Sequence, residues 1–501
     1  MPEQKASLAL APQRERSTFP CRGESAWEPC PTSERCVSVR PRRFVSSGLE
    51  WGRISYKRRP GRKGKGHAMV RSTLWMCRGV VSCLFLFTAV PGFCAVVPGD
   101  VIDATTWAKA VGLVPDEIIG WIQKGEFVLE VGDLPYSPSD CLPPYALQAR
   151  EDNKGRYTVD ENDFIVEKDT GTPVQRLIGH PFPEVDLGDP KACQKIVYNC
   201  FYTVHANGDF IAYLNTDYIR KSGYERSTKG EMRNLAMVGN PDAVKRENPD
   251  NLEKYTLFVA KSPYDIAGAA IMTWRYLDPR KQDTTFAYIP AIRRVRRMSA
   301  GNRSDAMFGS DAAVDDAGGF DGKVTSMEWK LLGRQEALIP FASVHLARLV
   351  KSREGGWRSP GDVSVMVYGY QKDGWNGAAW APVNWVWVKK PVVILEAKAK
   401  DPYYNYGIQR LWVQTETWGV AYKTIYDKAG KYWKTFLAQP RYFESEDGAF
   451  RMAHAGDQVV IDERSNHATV FRGPMPTDVW KYFVEMDVND FSLAGFQKFC
   501  K

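Results

Sequence analysis

Five aspartates, Asp305, Asp311, Asp315, Asp316 and Asp321, crowd one stretch rich in glycine, serine and alanine. Carboxylates at that density could cradle a cation or share a proton. Calcium loops of the EF-hand kind take their oxygens from a fixed register, which this spacing does not reproduce, so the acids are expected to be solvated. The adjacent pairs Asp315-Asp316 and Asp462-Glu463 carry the same expectation. No G-x-S-x-G elbow, phosphate-binding glycine loop, dinucleotide-binding glycine pattern or H-E-x-x-H pair occurs in the chain. The six histidines are scattered and there is no C-x-x-C, so the common zinc frameworks are missing too. The reading is a non-enzyme with no cofactor and no metal.

Chemistry of a different kind, the solvation of something apolar, is carried by aromatic residues at strand spacing. Trp274 and Tyr276 stand two apart, the polar run Asp278–Asp283 turns the chain, and Thr284, Phe286 and Tyr288 share one face of the next run. Period-two alternation on both sides of a turn predicts an antiparallel hairpin. Pro290 interrupts it and Arg293–Arg297 resumes it. The four arginines there are expected to be the solvated face of a strand rather than a phosphate patch. Further on, Trp385, Trp387, Leu395, Leu411 and Val413 alternate in the same way. A large antiparallel sheet must bury one face. It either fills that space with its own side chains or leaves a groove for an apolar ligand. The groove candidates are Trp274, Tyr276, Phe286, Tyr288, Trp385, Trp387, Leu395, Leu411 and Val413.

These stretches carry a resemblance. W-x-Y, a D-P turn and then A-Y-x-P-x-x-R-R-V-R-R (Trp274–Arg297) resembles the outer-membrane lipoprotein-sorting-like family, known as domain of unknown function 1329. Two more blocks are similar to that family: Gly179–Pro183 with Asp189–Ala192 and Lys195–Asn199, and Trp418–Val420 through Tyr426–Lys434. The resemblance spans roughly Val96 to Phe443. It implies a fold like that of the lipoprotein carriers LolA and LolB, a curved half-barrel that holds acyl chains under helices. It also implies a lipid or lipoprotein acyl chain as ligand, and an inner-membrane efflux-type transporter or an outer-membrane protein as partner. Two other functions stay open: an envelope interaction protein with a filled core, and an enzyme acting on lipid or glycan.

The charge balance agrees with an exported, non-nucleic-acid-binding protein. The chain has 67 basic and 59 acidic residues, a net +8. Residues 1–68 alone contribute fifteen Lys/Arg against six Asp/Glu, and removing them with Arg71 and Arg78 leaves a net −3. Residues 1–68 read either as a disordered basic extension or as untranslated sequence upstream of a start at Met69. The second is preferred, because residues 69–95 have the form of a secretory signal, which works at a chain's N-terminus. They comprise Arg71 and Arg78, the apolar run Gly79–Val90 and small residues around Cys94. The apolar run falls short of the about 20 residues a membrane span needs. A lipidated cysteine wants a small residue before it, so Phe93 before Cys94 argues against lipidation. A periplasmic location follows, with association to the outer membrane as an option. The later cysteines, Cys141, Cys193, Cys200 and Cys500, permit two disulfides in an oxidising compartment. Cys193 and Cys200 are nearest in sequence. On one helix they would stand beyond the bridging limit of about 7 Å.

The elements that must position these residues read as follows. Helices are expected at Ala104–Val111, Glu117–Lys124 and Asp189–Asn199, and the proline- and glycine-rich stretch 134–173 as mostly loop. Strands are expected at Phe201–His205, Phe210–Asn215, Tyr255–Ala260, Ser326–Gly333 and Leu338–Phe341. Residues 299–323 read as a surface loop or a lid. Trp385–Val388 and Val392–Ala397 form an expected hairpin across Lys389-Lys390-Pro391, and Gln409–Val413, Gly419–Tyr426 and Lys431–Leu437 form a meander. The fold class is mainly β with flanking helices (α+β), a large curved antiparallel sheet or half-barrel. One such domain is expected over 96–501, with a helical and loop segment at 96–190 and a tail at 444–501.

Overall fold

The computed structural model describes residues 95–299, 303–361 and 363–500. The expected basic extension (1–68) and, apart from its final residue, the signal segment (69–95) lie outside the described residues. The N-terminal part holds β1 (Val101–Ile102), α1 (Asp116–Gln123), β2 (Leu129–Val131), α2 (Pro144–Asp152), the small hairpin β3 (Tyr157–Val159) and β4 (Ile165–Glu167), and α3 (Ala192–His205). Stretch 134–173 therefore contains a helix and a hairpin rather than loop alone. Pro143 and Pro144 start α2 at the position where a missing N–H costs nothing. In α1, Asp116 and Glu117 sit at the positive end of the helix, while Ile118, Ile119, Trp121 and Ile122 are buried.

Sixteen further strands follow. They are β5 (Phe210–Arg220), β6 (Gly223–Ala236), β7 (Leu252–Ser262), β8 (Ala270–Tyr276), β9 (Thr284–Ile289), β10 (Arg294–Arg297), β11 (Met327–Phe341), β12 (Ala347–Lys351) and β13 (Trp357–Arg358). Then come β14 (Val386–Ala399), β15 (Ile408–Gln414), β16 (Val420–Tyr426), β17 (Tyr432–Ser445), β18 (Arg451–Asp462), β19 (His467–Phe471) and β20 (Lys481–Tyr482), and α4 (Leu493–Phe499) ends the described chain. The long strands pair antiparallel in the spatial order β10-β9-β8-β7-β6-β5-β19-β18-β17-β16-β15-β14-β11. At one end the sheet closes on itself, because β17 also pairs β12, β12 pairs β13, β13 pairs β20 and β20 returns to β5. Phe210, Leu349, Phe443, Met452, Trp480 and Tyr482 fill the interior of this closed ring.

The rest of the sheet curls around α3. Laid flat, thirteen strands would span roughly 58 Å at about 4.8 Å per step, whereas a helix with its side chains is about 10 Å across. Yet α3 touches strands far apart in that order. The Arg275 guanidinium on β8 lies 5.2 Å from the Phe201 ring, and Glu253 on β7 is 2.9 Å from His205 Nε2. Ile196 and Val197 share an apolar cluster with Met327 on β11, Leu395 on β14 and Leu411 on β15. A helix buried on this many sides must be apolar nearly all round, and α3 buries Ile196, Val197, Tyr198, Phe201 and Tyr202. Phe201–His205, expected as a strand, is the last part of this helix. A short apolar run does not distinguish the two states by periodicity alone.

Three more expectations change. The supposed hairpin at 385–397 is the single strand β14. Pro391 sits opposite the 414–418 turn, where β15 has ended, so its missing N–H removes no ladder bond. Ser326–Gly333 and Leu338–Phe341 are likewise one strand, β11. The supposed tail at 444–501 contributes β18 and β19 to the middle of the sheet. Its last segment packs on the sheet, with Phe491 and Phe496 covering the outer face of β6–β8. Cys193 and Cys200 both lie on α3 and all four cysteines are free thiols.

Candidate ligand cavity

A cavity of about 300 Å³ lies between α3 and the inner faces of β5–β7 and β16–β19. That size is at the lower end of ligand pockets. Phe201 and Val204 line it from α3, Leu214 and Met232 from β5 and β6, and Val420 and Phe436 from β16 and β17. Strand periodicity sets this lining: Gly456, Gln458 and Val460 on β18 stand two apart and all face inward. The filled ring, presenting Phe210 and Trp480, forms the floor.

Residues 303–323 form the roof, with Met307, Ala312 and Phe320 turned toward the cavity. Asp305 is exposed, as expected, but the other four acids are not solvated, contrary to expectation. Asp311 accepts from His467 Nδ1 at 2.6 Å and from Thr469 Oγ1 at 2.7 Å. Asp315 is 2.5 Å from Arg303 Nε, and Asp321 is 2.9 Å from Lys254 and 3.2 Å from Arg275. Asp316 pairs with Lys423 and accepts from Tyr406 Oη at 2.8 Å. Asp283 joins them, 3.2 Å from both Arg275 and Arg303 and 3.4 Å from Lys323. Burial works against the charge on Asp283 and Asp321, but the surrounding cations outweigh it and hold both below the ordinary aspartate range. At Asp315 burial prevails over Arg303 and the carboxyl is pushed up. The stretch is thus a lid held down by ion pairs. Asp462 accepts from Trp433 Nε1 at 2.8 Å, and Glu463 accepts from Trp121 Nε1. Those two acids are structural as well.

The floor is polar as well as aromatic. Asn207 Nδ2 donates to the carbonyls of Thr203 and Ala453, at 2.9 and 2.6 Å, which turns Oδ1 away from them. The His454 ring stands between Phe210, with centroids 4.6 Å apart, and Tyr482, 5.1 Å apart. Burial holds the imidazoles of His454 and His180 down at about 4. An unfolded histidine titrates near 6.5, so between those values the unfolded chain binds more protons. This contribution to stability is fully present above about 6.5 and is lost as pH falls toward 4. The urea midpoint is expected to drop steadily across that window, and His454→Phe to make the drop shallower. An identical slope in the variant would contradict the assignment to His454.

The nine residues expected to line a groove fall into separate packing clusters, and none of them lines this cavity. Trp274, Phe286 and Tyr288 pack under the C-terminal segment, where Trp274 Nε1 donates to the Phe491 carbonyl at 3.0 Å. Tyr276 packs with Met237 and Leu252. Trp385 and Trp387 belong to the core beneath α1, and Leu395, Leu411 and Val413 pack against α3. Counting large apolar residues finds the faces that proteins fill. The cavity is instead lined partly by Gly, Ala, Thr, Asn and Gln, whose small or polar side chains leave the space, and hydrophobic alternation gives these no signal. The arginines at 293–297 are exposed, as expected.

Solved structures with a similar fold include one described as an outer membrane lipoprotein-sorting protein domain from Vibrio parahaemolyticus. It is 16% identical, with 60% of this chain and 97% of that chain covered and a TM-score of 0.41. A DUF1329 family protein from Desulfovibrio piger is also 16% identical, over 60% and 98% of the two chains, with a TM-score of 0.38. A LolA superfamily protein from Nitrosomonas europaea is 12% identical over 60% and 97%, with a TM-score of 0.35. No curated protein matches the chain. The family profile described as protein of unknown function (DUF1329) matches residues 101–495, and the chain belongs to that family.

Proposed function

We propose that the protein is a non-catalytic carrier for a lipid or other hydrophobic molecule, working in the periplasm between the inner and outer membranes. The reading rests on one observation: a mainly apolar cavity bounded by α3, the curled sheet and a lid held down by ion pairs. An acyl chain in water costs about 0.8 kcal/mol per methylene. Enclosing eight methylenes recovers on the order of 6 kcal/mol before ordering costs, enough for reversible binding. The carried group is a lipid or lipoprotein acyl chain, received from or passed to an inner-membrane efflux-type transporter or an outer-membrane protein.

Native mass spectrometry with lipid extraction, on protein exported from a start at Met69, tests this. Wild type is expected to carry a reproducible lipid. Ala438→Trp, which places an indole in the cavity at a half-buried position, is expected to reduce the lipid-bound fraction about tenfold with the unfolding midpoint retained. A ligand-free mass that also ignores added fatty acids and phospholipids would overturn the carrier and favour an envelope interaction protein.

A further inference from the structure

Four side chains at the floor of the cavity have hydrogen-bonding atoms with no partner among the described residues. They are Oδ1 of Asn207, Nδ2 of Asn234, both amide atoms of Gln439 and both ring nitrogens of His454. All four residues line the cavity, and their exposures are only 1%, 3%, 1% and 8%. Buried polar groups are ordinarily paired, and an unpaired one needs an explanation. Here the four converge. The Asn207 amide donates to the carbonyl next to His454. The His454 ring packs on Phe210, which is the cross-strand partner of Asn234. Gln439, between Ala438 and Pro440 on β17, is the single residue facing the two-residue bulge Gly456-Asp457 on β18. Its amide lies over Gly456, where a Cβ would come within 2.5 Å of both amide atoms. A bulge whose own glycine makes room for the side chain facing it is a device typical of sites.

We propose that this floor is a head-group subsite that takes an uncharged hydrogen-bonding group, a hydroxyl, ester or amide, at the end of the carried apolar molecule. The proposal rests on the carrier reading and specifies its ligand. Amides and a neutral imidazole supply donors and acceptors together without net charge. The charged residues of the lining are already matched: Lys254 with Asp321 at 2.9 Å, Arg472 with Asp217 at 2.8 Å, and Asp316 with Lys423. A phosphate or carboxylate brought to this floor would be a buried charge with no counter-ion left to it. Burial also keeps His454 uncharged at neutral pH, down at about 4, consistent with a neutral guest.

Displacement of a fluorescent apolar dye by dodecane, dodecanol, methyl laurate and laurate tests the subsite on the wild-type protein. Dodecanol and methyl laurate are expected to bind about tenfold more tightly than dodecane, the yield of one net hydrogen bond, and laurate more weakly than dodecanol. Asn234→Leu and Gln439→Met, close in volume to the originals, are expected to erase the alcohol–alkane difference while dodecane still displaces the dye. Equal binding of dodecane and dodecanol by wild type, or laurate binding tightest, would overturn the subsite and leave the carrier standing. Failure of every probe, dodecane included, would remove the carrier reading and the subsite with it. The wild-type series decides the matter even where a variant fails to fold.

Discussion

Lys423→Met is expected to lower the stability of the folded chain by about 3–5 kcal/mol, the range found when one partner of a buried ion pair is removed. Lys423 is fully buried on β16 and Asp316, within the lid, is 1% exposed, so solvent screens neither. Without the ammonium, the carboxylate keeps only the Tyr406 hydroxyl and the Ala313 N–H, at 2.8 and 2.7 Å. Those bonds satisfy lone pairs but leave the charge uncompensated. Adding Asp316→Asn to Lys423→Met is expected to recover a large part of the loss, because the asparagine oxygen can still accept from Ala313 and no charge is left stranded. Urea unfolding of the wild type, both single variants and the double variant closes the cycle. A loss below about 1 kcal/mol for Lys423→Met, in the range of exposed pairs, would mean that water reaches this pair and that the lid is not anchored there.

Trp387→Ala carries the second large effect, also about 3–5 kcal/mol, by loss of transfer free energy and creation of a void. Trp387 has no exposed surface. Its ring stacks on Tyr422 at 6.3 Å with planes 6° apart and meets Phe127 edge-on at 5.5 Å. Such packing has little room to collapse into the gap. The informative part of the experiment is the ligand: protein that remains folded is expected to bind as much lipid per molecule as wild type, since Trp387 does not line the cavity. Loss of lipid from folded Trp387→Ala would return this residue to the binding site.

Elements set by local patterning could be read in advance, and those set by remote partners could not. The β8–β9 hairpin, the β15–β16–β17 meander and the solvated arginines of β10 were legible because alternation and turn chemistry are local. Residues 201–205 were not, since their helical state is enforced by the surrounding sheet rather than by propensity. The lid acids read as solvated because their partners are remote in sequence: Asp316 meets Lys423, and Asp311 meets His467. The cavity floor was invisible for the same reason. Asn207, Asn234, Gln439 and His454 come from four separate segments of the chain, and a bulge at Gly456, not a motif, makes room for Gln439 among them.

The closed ring at the floor has a consequence for how the molecule forms. Its seam joins β5 to β19 and β20, pairing Arg220 with His467 and Ile211 with Lys481, about 250 residues or more apart in the chain. Loop closure over such distances must precede any reward from the contacts, so the seam is expected to be the slow step of assembly. Until then β5–β9 and β14–β18 can pair locally as two open halves with exposed edges and bare apolar faces, the state most exposed to aggregation and proteolysis. The binding cavity exists only after the seam closes. Ligand affinity therefore reports completed folding, and a bound apolar guest would slow reopening of the finished ring.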